Sequence, residues 1–186
     1  MLFMKQEIGK LWLLFIFVLT CIFVILTSQN IMVYCANNID TKQYEIVNLK
    51  IEDMEYTLTK DQVKQMVSNL YNTPHMYLET DNLSAGSNGN SLVVARVVTI
   101  KKELSVSEYA IAYAHELTHV KYQVADETYT TFKTFTTLFE SGNAELRHMA
   151  LKDAQIIIYG GYGRSEYDCG YQILEYLEQN CPELLY

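Results

Sequence analysis

Between Ser105 and Tyr122 the chain reads SVSEYAIAYAHELTHVKY, a stretch without glycine or proline and with a helix-start signal at its head. Ser105 followed by Glu108 is the S-x-x-E pattern in which each side chain bonds the other residue's backbone amide. At about 100° per residue, Tyr109, Tyr113, Leu117 and Val120 gather on one side of the helix. His115, Glu116 and His119 fall on the opposite side, next to the small Ala112. One face is therefore expected to build a core and the other to stay open, so the remaining elements have to be arranged around this helix.

Those elements are readable to different degrees. Tyr44 to Leu58, YEIVNLKIEDMEYTL, alternates roughly and suggests one or two short strands. Thr59 or Asp61 can cap a helix over Gln62 to Tyr71, where Val63, Met66, Val67 and Leu70 recur at helical spacing. Asn72 to Asn90 is polar, contains Pro74, Gly86 and Gly89, and reads mostly as loop. Ser91 to Ile100, SLVVARVVTI, is rich in β-branched residues and predicts one largely buried strand. From Thr128, Phe132, Phe135 and Phe139, then Leu146, Ala150 and Ile157, continue one stripe through Gly142, as one helix or as two broken there. Gly160, Gly161 and Gly163 end that stripe, and a last helix runs from about Tyr171 to Gln179, ahead of Pro182.

The N-terminus stands apart. Leu11 to Thr27 is an uncharged apolar run of 17 residues preceded by Lys5 and Lys10. That length is at the lower limit for a membrane-spanning helix, about 17–25 residues, and the lysines favour sending the rest of the chain outward. Residues 1–36 are thus expected to form a signal or transmembrane anchor with its juxtamembrane segment. Ala36 could precede a cleavage point, but Tyr34 fills a position where a small residue is preferred, and an uncleaved anchor is the reading adopted. Cys21 and Cys35 lack the small preceding residue that lipoprotein processing wants. The expected location is the cell membrane, single-pass with an extracytoplasmic C-terminal domain; the alternative is secretion after cleavage. Cys169 and Cys181 can pair in an oxidising compartment, the alternative being two ordinary thiols.

Composition narrows the function. Apolar residues make up 49% of the chain, enough for a packed core over residues 44–186, and the net charge is −8, from 22 acidic and 14 basic residues. An acidic chain with no basic stripe is a poor match for nucleic acid. The chemistry lies in HELTH. Histidines at i and i+4 project from adjacent turns, so both imidazoles can reach one ion, and the intervening Glu116 sits beside that ion, placed to take a proton from its water.

This H-E-x-x-H pattern, with the uncharged flanks Tyr113, Ala114, Leu117, Thr118 and Val120, resembles the zincin metallopeptidases. The resemblance implies a zinc peptidase holding one Zn2+ per chain, with His115 and His119 as ligands and Glu116 as general base, acting on a peptide or protein substrate. It also implies a third protein ligand. The metzincin continuation would need a glycine and a histidine where the chain has Tyr122 and Ala125, and Asp126 falls one residue beyond an aspartate variant. The gluzincin branch, with its ligand on a following helix some twenty residues on, fits better. Glu140, with 20 intervening residues, is preferred; Glu145, with 25, is the alternative, and His148 stands behind both. Asn143 is then a candidate for orienting Glu140, although Ala144 stands where the family usually carries an acidic residue. Tyr159, Tyr162 and Tyr167, on or near the glycine-rich turn, are candidate oxyanion stabilisers. The fold class implied is α+β, predominantly helical: a small zincin-like domain with a short sheet on the HELTH helix. The competing reading is a non-catalytic anchored binding domain with structural zinc or none.

Overall fold

A computed structural model describes residues 47–84, 86–160 and 168–185. The expectations placed on Leu11–Thr27, Cys21, Cys35, Tyr162 and Tyr167 lie outside those residues. Among the described residues no helix is long and apolar enough to cross a membrane.

The fold is mixed α+β, with more helix than strand. Helix α1 (Lys60–Tyr71) starts at Thr59, whose side chain accepts from the Gln62 amide while the Gln62 side chain accepts from the Thr59 amide. Val63, Val67 and Tyr71 form its buried face. Strands β1 (Met76–Thr80), β2 (Gly89–Leu92) and β3 (Val97–Lys101) make one small sheet in the order β1-β3-β2. β1 runs parallel to β3, with Met76 opposite Val97; β2 runs antiparallel to it, with Gly89 opposite Ile100 and Leu92 opposite Val97. Helix α2 (Val106–Tyr122) carries the Ser105–Glu108 reciprocal cap. It is followed by α3 (Glu127–Phe139), α4 (Ala144–Ile158), α5 (Gly170–Asn180) and a 3₁₀ turn at Pro182–Leu184.

The structure differs from the sequence expectations in three stretches. The stretch from Ser91 to Ile100 is not one strand: the chain reverses through residues 93–96, with Arg96 at a left-handed φ of 53°, so that β2 and β3 form a hairpin. β1 lies inside the segment read as loop; it is a short strand whose hydrogen bonds come from β3, about twenty residues away, so no local signal marks it. The expected strands before Leu58 are absent among the described residues. That segment instead runs along α4, joined by one bridge between Leu49 and Leu185 and by side chains of α4.

Helix α2 is the centre of the domain. Val98 and Ile100 of β3, both fully buried, pack under it with Tyr109, Tyr113 and Leu117. On its other side α3 presents Thr130, Thr134 and Leu138, all buried. The helix is therefore enclosed on both faces: Glu116 and His119 are buried, and His115 is half-buried. The phenylalanine stripe splits at Gly142, whose φ of 76° suits glycine and ends the helical run, and Asn143 restarts it as the N-cap of α4.

Cys169 and Cys181 are both free thiols. They flank the 11-residue helix α5 at opposite ends. A helix of that length spans about 16 Å, well over twice the roughly 4–7 Å between Cα atoms that a disulfide tolerates. The pairing is not formed, and the two stand as ordinary thiols.

Candidate metal centre

The two helices that build the site meet at a tight reversal. Helix α2 ends at Gln123, in the left-handed conformation (φ 55°, ψ 43°), and α3 begins at Asp126, whose side chain accepts from the Tyr129 amide. Only residues 123–126 separate the helices, so the first residue of α3, Glu127, returns to the last turns of α2. There its carboxylate Oε2 lies 2.9 Å from His115 Nε2 and 3.3 Å from His119 Nε2. The two Nε2 atoms are 3.1 Å apart, with the imidazole rings nearly perpendicular at 78°. His115, His119 and Glu127 thus aim three ligand atoms at one point, and the group can hold a metal ion.

The ring of His119 is oriented from behind. Its Nδ1 donates to the Val124 carbonyl at 2.8 Å, and the Thr130 hydroxyl lies 3.3 Å from the same nitrogen. A neutral imidazole with its proton on Nδ1 carries a lone pair on Nε2, the form a cation requires. Burial lowers the His119 pKa, but the bond to Glu127, the Val124 carbonyl and the negative charge of Glu127 and Glu116 outweigh it, and the net shift is upward from 6.5. Glu127 moves the other way. Bonds from His115 and His119 hold its carboxyl at about 2, against an ordinary 4.5. Without a cation, a proton on His119 is the counter-charge that the Glu127 carboxylate favours.

Glu116 belongs to the same helix turn but not to the ligand group. Burial pushes its pKa up, opposed by the nearby His115, a hydrogen bond offered by the Ser91 side chain, and His119. A carboxylate so shifted holds a proton more readily than a solvated one. It lies against β2: a Cβ built on Gly89 would stand 2.8 Å from Glu116 Cγ and 2.9 Å from its Oε1.

The remaining site expectations are placed elsewhere. Glu140 is exposed at the C-terminal cap of α3 and accepts a hydrogen bond from the Tyr176 hydroxyl. It stands thirteen residues after Glu127, about 20 Å along the helix, so it is not in the ligand group. Asn143 caps α4 by accepting from the Leu146 amide and does not orient Glu140. The Glu145 carboxylate accepts from the Thr57 and Leu58 amides and from the Thr57 hydroxyl, which fixes the incoming chain to α4. His148 is buried, donating from Nε2 to the Glu52 carbonyl at 2.7 Å and accepting from the Tyr56 hydroxyl at 2.9 Å. The Tyr159 hydroxyl donates to Asn48. Asp126 is the α3 cap.

Spacing beyond His119 does not single out Glu127. A local signal exists: Asp126 followed by Glu127 is an N-cap with an acidic first turn, and it starts a new helix eight residues after His119, close behind the end of α2.

No family model, no curated protein and no solved structure matches the chain.

Proposed function

We propose that the chain is a zinc-dependent peptidase in which His115, His119 and Glu127 hold the ion and Glu116 is the general base. The donor set supports zinc. Two imidazole nitrogens and one carboxylate oxygen, with a fourth position left to water, is a composition seen in catalytic zinc sites. Ligands about 2.0–2.1 Å from a tetrahedral zinc lie about 3.3–3.4 Å from one another. The three separations here, 2.9, 3.1 and 3.3 Å, are close to that spacing, so an ion would need only a slight opening of the triangle.

When bound, zinc supplies Lewis-acid polarisation of a carbonyl and a lowered pKa for a water. The chain's own residues do the rest. Glu116, one residue from His115, is placed to accept the water's proton at its carboxylate and deliver it to the departing amine nitrogen. Val124 and Thr130 keep the His119 ring turned toward the ion. The buried surroundings of Glu116 exclude bulk water, so its proton is not lost to solvent.

The single observation that carries this reading is the convergence of His115, His119 and Glu127 beside the buried carboxylate of Glu116. Its test is Glu116→Gln: about one zinc per chain is retained while cleavage of a mixed peptide library falls by at least about a hundredfold. A Glu116→Gln protein cleaving at the wild-type rate would remove the base role. The reading extends to location: the apolar run Leu11–Thr27 holds this domain at the outer face of a membrane.

A further inference from the structure

The inward face of β2 meets Glu116 with two residues. Gly89 and Ser91 alternate with Asn90 and Leu92 along the strand, so they share the face turned toward α2, and their partners across the sheet are Ile100 and Val98, both fully buried. At Gly89 the backbone is not in the left-handed region, so no conformational need explains the glycine. Space does. A Cβ there would lie 2.8 Å from Glu116 Cγ, 2.9 Å from Glu116 Oε1 and 3.0 Å from Ile100 Cδ1. Ile100 has no exposed surface and cannot retreat, so the group that would move is the Glu116 side chain. Two positions along on the same face stands Ser91, whose side chain lowers the pKa of the same carboxylate.

We propose that β2 positions Glu116, Gly89 by leaving out a side chain and Ser91 by fixing the carboxylate with its hydroxyl. This rests on Glu116 being the general base, and it makes the strand's residue size at position 89 a determinant of catalytic rate. A carboxylate displaced by about 1 Å from its working position loses rate by one to two orders of magnitude without needing to lose the ion. Gly89 and Ser91 touch no ligand and act only through Glu116; they are positioning residues.

The experiment uses full-length, zinc-loaded protein labelled with 13Cδ-glutamate, the Glu116 carboxyl resonance being the one that disappears in Glu116→Gln. In Gly89→Ala the zinc content stays at one per chain, kcat falls by at least about tenfold with KM changed much less, and the Glu116 resonance moves. Ser91→Ala, which adds no bulk, gives a smaller loss of kcat and its own shift, and Ser91→Thr restores both. Asn90→Ala, on the outward face of the same strand, leaves rate and resonance unchanged. The proposal is overturned if Gly89→Ala keeps the wild-type kcat and an unmoved resonance, or if Asn90→Ala loses as much as Gly89→Ala. Should the wild-type protein cleave no peptide, the peptidase reading fails while the resonance still decides whether β2 sets the position of Glu116.

Discussion

His119 Nε2 and Glu127 Oε2 lie 3.3 Å apart, one near the end of α2 and the other at the first residue of α3. The reversal that joins them therefore belongs to the site as much as the HELTH sequence does. Gln123 supplies its left-handed corner and Val124 the carbonyl that orients His119.

That pair sets a pH dependence in protein stripped of metal. Glu127 is held at about 2 rather than 4.5, so its contribution is present above its unfolded value and lost as pH falls toward 2. His119 is raised above 6.5, so its contribution is present below 6.5 and lost as pH rises through the higher value. In EDTA, the gap in Tm between wild type and Glu127→Gln should be widest between pH 4.5 and 6.5 and narrow on both sides. A gap that is flat from acid to alkaline pH would contradict the coupling. With zinc present the alkaline narrowing should vanish, because the ion replaces the proton on the imidazole.

Glu145 offers a contrast between stability and metal. It was an alternative third ligand on spacing alone, and its carboxylate instead accepts from two amides and the hydroxyl of Thr57 and Leu58. Glu145→Ala should keep a full complement of zinc while losing about 1 kcal/mol of stability, toward the low end for charged acceptors because the group is part-exposed. Thermal unfolding alongside metal analysis checks both halves; loss of zinc in this variant would contradict the assignment.

Thr131 is one turn beyond Glu127, and its buried hydroxyl has no partner among the described residues. Replacing an unpaired buried hydroxyl by a methyl group of similar size removes a desolvation cost of about 1 kcal/mol or more. Thr131→Val should leave Tm unchanged or raise it by about 2–4 °C. A fall of several degrees would mean that the hydroxyl is held by a group not yet accounted for, such as an ordered water.

What the sequence disclosed divides by range. The caps of α1 and α2 were legible because Thr59 with Gln62 and Ser105 with Glu108 complete their bonds within four residues. His115, Glu116 and His119 were legible together because one helix fixes their spacing. The hairpin was not, since residues 93–96 read VVAR and place an arginine, with no glycine or asparagine, in the left-handed corner. Nor was the extent of burial around α2: its HELTH side was read as open, and α3 covers it with threonines that look polar in sequence. Family spacing points to Glu140, whereas Gln123 and Asp126 turn the chain back so that Glu127 joins the two histidines. Such a turn is written in two backbone conformations that the residue types only weakly encode.

Zinc binding measured by equilibrium titration of Glu127→Ala against Glu140→Ala tests most directly whether Glu127 completes the metal site. Glu127→Ala should lose zinc affinity by at least about a hundredfold, as removal of one of three protein ligands requires, while Glu140→Ala binds as tightly as wild type. Tight binding retained by Glu127→Ala together with loss in Glu140→Ala would contradict the account.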